Sequence, residues 1–400
     1  MNTRKVFSLL GCMMLTLVCM MPQYALATPF EVNGVWYEYE SSGHEFCFVT
    51  EAPYGEEKPK GDIVIPDQIE YKGDVSTVVC ITNYAFRDCK DLRTVQIPAS
   101  VQRIRNYAFQ GSGLEEITIP ATVQLLQGQL FIDCDKLRRV VIEANPNIRA
   151  IDAQMFLRCS SLEEVVFYSN IRSFGDDCFK GSGIREFTVP NYIEKIGNRC
   201  FESCLNLKKF VLEDEREPQS AFDVTSLYIG DYPFMRTDLE EVYVGRNISG
   251  YHGFLFGYGS ADGENYCWNA MKKVTYATNL QYFPPFEMCQ EIQEVTSLST
   301  NPQPIATATG GKAFFDKVLQ NATLYVPKDA LDQYKNTSGW KDFQHIEAID
   351  DGSDGISAVN VNGNDNGKVY DLQGRRIGNV NGNLLPNTIY IINGKKIVKR

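Results

Sequence analysis

The sequence predicts a mostly β protein, bordering on α/β, wound as a solenoid of stacked rungs about 23 residues long. Three observations predict it. A phenylalanine recurs at Phe86, Phe109, Phe131, Phe156, Phe179 and Phe201, at spacings of 23, 22, 25, 23 and 22 residues. Five or six residues after each stands a branched aliphatic: Leu92, Leu114, Leu137, Leu162, Ile184 and Leu207. Three residues later begins an alternating apolar pair: Val95/Ile97, Ile117/Ile119, Val140/Ile142, Val165/Phe167, Phe187/Val189 and Phe210/Leu212. Alternation of this kind marks a strand with one buried face.

The first element is a leader. Arg4 and Lys5 precede an apolar run from Val6 to Met21, and Ala25-Leu26-Ala27 forms a small-residue cleavage site. Residues 1–27 thus read as a secretory signal peptide. Leu9-Leu10-Gly11-Cys12 also fits an acylation box loosely, so a lipoprotein signal competes with that reading. No other stretch reaches the roughly 18 apolar residues of a membrane span. Residues 28–83 are expected to form a β-rich N-terminal cap.

The solenoid is expected over residues 84–310, regular to 213 and irregular from 214. Pro98, Pro120 and Pro190 end three of its strands, as a residue without an N–H does. A second apolar pair follows at Val101/Ile104, Val123/Leu126, Ile148/Ile151, Ile171/Phe174 and Ile193/Ile196. One rung buries too few large side chains to offset the entropy of ordering it, so neighbours must share a core. The period lies in the leucine-rich-repeat range and is too short for paired-helix repeats. A parallel sheet is expected on one face, with turns or short helical pieces on the other.

Two kinds of corner follow the phenylalanine. One carries Cys89, Cys134, Cys159 or Cys204 three residues on, and the other is Gly-Ser-Gly, from Gly111 or Gly181. The cysteines read as compact inward-facing apolar groups and the glycines as positive-φ turns. A disulfide is the competing reading for Cys134 with Cys159 and for Cys178 with Cys200, which lie on adjacent rungs. No cysteine–histidine pattern supports zinc.

The run Tyr84-Ala85-Phe86-x-x-Cys89-x-x-Leu92-x-x-Val95-x-Ile97-Pro98-x-Ser100-Val101-x-x-Ile104 closely resembles the repeat of BspA-like leucine-rich-repeat proteins. Phe30 to Tyr37 resembles the start of that family, and Ala322 to Pro327 with Tyr334, Trp340 and Phe343 resembles its close. The resemblance covers nearly all of residues 30–350. It implies a secreted or surface protein of the kind abundant in Bacteroidetes, with adhesion to matrix proteins, glycans or other bacteria as its role.

Past residue 213 the pattern degrades. Phe234 with Leu239, Val242 and Val244, and Phe286 with Cys289, Ile292 and Val295, keep it, but 52 residues separate the two phenylalanines. Between them, Tyr251 to Tyr258 does not follow the rung. It reads as an irregular rung packed on the solenoid, or as a projecting loop whose Tyr258, Tyr266 and Trp268 stack on a sugar or protein. Residues 311–349 are expected to cap the open core, with a short helix over Asp329–Asn336 and Trp340 and Phe343 as the seal. Residues 350–368 read as a polar linker. Residues 369–400 read as a β tail resembling type IX secretion sorting domains; from Gly367 on there are seven basic residues and one acid.

Function classes narrow quickly. A net charge of −11 opposes nucleic-acid binding, and three histidines, His44, His252 and His345, leave little for metal or acid–base chemistry. No nucleophile elbow, zinc-protease helix or phosphate loop is present in the sequence. A non-enzymatic interaction protein without cofactor is expected, secreted or on the outer-membrane exterior. Its partner is an extracellular protein or, alternatively, a glycan, and the tail would engage outer-membrane secretion machinery. By strand register the exposed sheet positions are Thr94, Gln96, Glu116, Thr118, Arg139, Glu164, Glu186, Thr188 and Lys209, and these are the candidate contact residues.

Overall fold

The computed structural model describes residues 28–349, apart from 42, 169, 216–225, 251–254, 257, 260–264, 267–269, 279, 282, 285, 288 and 306–311. It also gives, as backbone only, the strands at 258–259, 265–266, 368–370, 376–379, 389–392 and 395–398. The leader at 1–27 and the linker up to 367 lie outside these residues.

Each rung contributes one strand to a parallel sheet, because the apolar residues of its alternating pair face one core. Asp62, Thr94, Glu116, Arg139 and Glu164 are successive register partners on the outer face, and Ile117, Val140 and Val165 on the inner one. A second run starts at Glu186–Val189 and continues in register through Lys209, Glu241, Lys273, Glu294, Thr323 and His345. Glu164–Val166 and Glu186–Val189 are not paired. At that step two glutamates succeed one another in the outer row, and like charges opposite each other oppose pairing.

Turns or short helical pieces are the expectation for the second face. Instead of helical pieces it carries narrow parallel strands, Arg103–Ile104 with Leu125–Leu126, then Ala150–Ile151 through Ser173–Phe174 and Lys195–Ile196 to Leu227–Ile229 and Ile248–Gly250. Five of them carry the later member of a second apolar pair: Ile104, Leu126, Ile151, Phe174 and Ile196. Among the described residues the α-helices are Asp316–Asn321 and Leu331–Tyr334, both at the C-terminal end, where the sequence placed its one helix.

The phenylalanines form the spine. Ten described rings stack in series from Phe86 to Phe314, with neighbouring centroids 4.5–6.3 Å apart. Phe256 stands between Phe234 and Phe286, at 5.3 and 4.5 Å. The segment that departs from the rung pattern in sequence therefore still supplies its spine residue. Met271, fully buried, follows at the core position that leucine holds elsewhere, and the hairpin Tyr258–Gly259/Asn265–Tyr266 is inserted between them.

Turning so tightly around phenylalanine requires two left-handed residues per rung. Tyr84, Tyr107, Gln129, Gln154, Asp177, Arg199 and Tyr232 hold φ of 52–64° on one side, and Asp88, Asp133, Arg158, Ser203 and Arg236 hold 55–61° on the other. Gly111 and Gly181 occupy the second position in the Gly-Ser-Gly corners, at 64° and 69°. Elsewhere side chains offset the strain by bonding along the stack: Gln129 to Gln154 at 2.7 Å, Arg158 to Asp133 at 2.5 and 2.7 Å, Arg199 to Asp177 at 3.0 Å.

The corner cysteines are more than fillers. The described cysteines are all buried free thiols. Cys134, Cys159 and Cys204 donate to the carbonyls of Phe109, Phe131 and Phe179 in the rung before, at 3.0, 2.9 and 3.0 Å. Ser112 and Ser182 approach the Cys134 and Cys204 sulfurs at 3.5 and 3.4 Å. Each of these carbonyls also accepts a main-chain N–H of its own turn, from Ser112, Cys134 and Ser182, so the S–H is a second donor that ties one rung to the next. Burial pushes the Cys134 and Cys204 thiols up to about 12, with the serine contacts opposing the rise.

Two caps close the core. Phe30–Val32, Val35–Tyr39 and Phe46–Val49 form an antiparallel ribbon that joins Asp74–Ile81, and Phe30 stacks on Tyr71 at 4.1 Å. At the other end Trp340, fully buried, meets Tyr276, Phe283 and Tyr334 edge to face. The tail forms a separate antiparallel sheet in the order Arg376–Asn379, Lys368–Tyr370, Ile389–Ile392, Lys395–Val398.

Candidate functional site

The nine candidate residues lie where period-2 register puts them, on the outward side of the parallel sheet. Glu116, Arg139, Glu164, Glu186, Gln96, Thr118 and Thr188 are exposed, and Thr94 and Lys209 half-buried. They form two rows. The first is charged; the second runs Val64, Gln96, Thr118, Val141 and Val166, then, after the sheet break, Thr188, Val211, Tyr243, Thr275, Thr296 and Tyr325.

Most charges of the first row are partnered between rungs. Arg139 Nε is 2.7 Å from Glu164 Oε2, Lys209 Nζ 3.5 Å from Glu241, and Lys273 Nζ 2.6 Å from Glu294. Thr94 donates to Asp62 at 3.0 Å, and Arg93 also bonds Asp62. A flanking row repeats the device, with Arg138 on Glu115 at 3.0 Å and Lys272 on Glu240 at 2.6 Å. Lys272 and Lys208 hold the Glu240 carboxyl below its ordinary value by hydrogen bonding. Exposed pairs of this kind add little stability singly. They leave the sheet face with both signs interleaved.

Thr94, Gln96, Glu116, Thr118 and Arg139, with Pro120 and Glu143, surround an open depression of 530 Å³. Glu143 is anchored there, its carboxylate accepting the Ala121 N–H at 2.8 Å. Glu164, Glu186, Thr188 and Lys209 lie outside it, along the same face.

The alternative aromatic site is described only in part. Tyr258 and Tyr266 are register partners in the inserted hairpin, while Trp268 lies outside the described residues. The sequence reading also stopped the sheet face too early. Glu241, Tyr243, Lys273, Thr275, Glu294, Thr296, Thr323 and Tyr325 extend it by four strands. Their alternating Val-x-Val and Val-x-Tyr strings were the available signal, masked by irregular spacing. Among the described residues no group of three or more His, Cys, Asp or Glu is placed to hold a metal, and no helix is long and apolar enough to cross a membrane.

No curated protein matches the chain. Among solved structures it is similar to a leucine rich cell surface protein from Faecalibacterium prausnitzii, at 16 % identity and a TM-score of 0.39, covering 82 % of this chain and 96 % of that one. A leucine-rich repeat protein from Bacteroides ovatus matches at 17 % identity and 0.34, covering 80 % and 99 %. The leucine rich repeat protein of T. pallidum matches at 23 % and 0.34, covering 56 % and 86 %. Residues 79–213 match the family described as the BspA type leucine rich repeat region, in six copies, so this stretch of the solenoid is built of BspA-type leucine-rich repeats.

Proposed function

We propose that the protein is a secreted or cell-surface, non-enzymatic interaction protein, adhesin-like, that binds an extracellular host or bacterial protein on the exposed face of its parallel sheet. The observation that carries this reading is the pair of in-register outer rows, with charges of both signs held by rung-to-rung ion pairs. Such a face is preorganised, and a protein surface of complementary charge pattern would meet it with little rearrangement. Glu116 and Glu164 lie at and beside the depression and have no role in the core.

The test is an array of extracellular matrix and bacterial surface proteins probed with the full chain over a salt series. Saturable binding that weakens with salt and is abolished by Glu116→Lys with Glu164→Lys supports the reading. Binding indifferent to both substitutions, or silence across the array, overturns it. The basic C-terminal sheet is read as an address for outer-membrane export of a Bacteroidetes-type protein. Retention of a chain lacking residues 369–400 in the periplasm of a host with type IX machinery would support that, and unchanged export would remove it.

A further inference from the structure

Past the ends of strands Lys273–Tyr276 and Glu294–Ser297 the chain turns away from the sheet and borders an open cleft of 610 Å³. Thr278, Gln281, Thr300, Asn301 and Gln303 line it over Leu280 and Ser299. No charged side chain is among them. Two other depressions of similar size are both charged. One, on the sheet face, has Glu116, Arg139 and Glu143, and the other, at the N-terminal cap, has carboxylates beside Lys58 and Lys60. The neutral polar lining sets this cleft apart from those two charged depressions.

Its backbone is held from below. The Ser299 carbonyl accepts the Tyr334 hydroxyl at 3.0 Å, and the Gln303 carbonyl accepts the Trp340 indole N–H at 2.9 Å. Asn247 Oδ1 accepts the Gln281 N–H at 2.9 Å, and Ser299 Oγ accepts the Asn301 N–H at 3.2 Å. Tyr334 and Trp340 are buried residues of the C-terminal cap, so the cleft is tied to its core. These anchors use main-chain atoms. The exposed side-chain amides of Gln281 and Asn301, and the hydroxyls of Thr278 and Thr300, have no hydrogen-bond partner among the described residues.

An amide presents an acceptor oxygen and two donor hydrogens, and a hydroxyl presents both roles. Carried side by side on an anchored main chain and without charge, they match a ligand that alternates donors and acceptors and carries no formal charge itself. Vicinal hydroxyls of a sugar ring have that pattern. A peptide would also need pockets for its side chains or a free strand edge, and among the described residues the lining has no strand residue and a single large apolar side chain, Leu280. Its volume lies within the range of small-ligand sites. From this lining we infer that the cleft is a binding site for a neutral carbohydrate, with Gln281 and Asn301 as the contact residues and the site independent of the sheet face.

The test titrates the full chain by calorimetry with neutral oligosaccharides of gluco-, galacto-, manno- and N-acetylglucosamine type, alongside sialylated and sulfated counterparts. The expected result is saturable binding of at least one neutral oligosaccharide, weakened tenfold or more by Gln281→Ala with Asn301→Ala. Asn301→Asp, which keeps the shape and adds charge, weakens it as well, and Glu116→Lys with Glu164→Lys leaves it unchanged. The inference is overturned by absence of sugar binding, by binding that survives the double alanine variant, or by preference for the charged sugars. It is equally overturned if only Tyr258→Ala, Tyr266→Ala and Trp268→Ala together abolish binding, or if only the sheet-face variants do. Both Gln281 and Asn301 are exposed, and an unchanged thermal transition would show that the variants remain folded.

Discussion

Replacing Gly183 with alanine would put a methyl group 2.2 Å from the Ser160 carbonyl oxygen, 2.9 Å from its carbon and 3.1 Å from the Leu162 nitrogen. All three are main-chain atoms of the preceding rung, so no side chain can swing aside. The shortest approach is about 1.3 Å inside ordinary contact. Relief requires the two rungs to separate, which breaks the bond from Gly183 N–H to the Cys159 carbonyl, now 3.1 Å long. Overpacking costs about 1–3 kcal/mol and a lost hydrogen bond about 1 kcal/mol, so the substitution should cost about 2–4 kcal/mol. The place matters as much as the size. Here the parallel sheet is interrupted, and the turn stack and the narrow second sheet carry the main-chain pairing between the rungs. In an array stabilised by nearest neighbours, a weakened junction lets the halves open separately. Urea unfolding should broaden or split, and hydrogen exchange should accelerate at Cys159, Gly183 and their neighbours. Gly43→Ala, with nothing within 4 Å of the new methyl, serves as the control and should shift stability by less than about 0.5 kcal/mol. If Gly183→Ala matches that control, the close-approach argument fails.

Arg246, 1 % exposed, donates to the carbonyls of Pro190, Asn191 and Ile193 at 2.8–3.0 Å. Arg246→Met keeps most of the volume and removes the donors, and should cost about 2–4 kcal/mol in urea unfolding; a neutral result would show that water replaces the guanidinium. The corner thiols give a pH prediction. Cys134 and Cys204 ionise near 9 when unfolded and near 12 when folded, so the unfolded chain loses protons first as pH rises. Their stabilising effect is complete below pH 9 and is withdrawn between 9 and 12. Unfolding midpoints measured at pH 8 and 10.5 should therefore fall less in Cys134→Ala with Cys204→Ala than in the unaltered protein, and equal slopes would contradict the assignment.

Whatever repeats at short range was legible in the amino-acid order alone. The recurrence of Phe, Leu and the alternating pair fixed the rung, and period 2 alone decided that Thr94, Glu116, Arg139 and Glu186 face outward, because in a strand side-chain direction follows parity. The cap residues Trp340 and Phe343 were legible for the same reason: large apolar groups at the end of a solenoid have one place to go. What depends on neighbours 20 to 30 residues away was settled by the tertiary structure. Phe256 joins the spine although its rung is broken by an inserted hairpin, since stacking requires a ring at that height and not at that spacing. Cys134 and Cys159 are close enough in the stack to suggest a bridge. Each instead turns to a carbonyl of the rung before it, as a second donor beside a main-chain N–H, a contact no single rung reveals. Arg139 finds Glu164, and Lys273 finds Glu294, only when rungs are laid in register. The cleft at Gln281 and Asn301 comes from two corners far apart in the chain, each unremarkable alone, brought side by side by the stack.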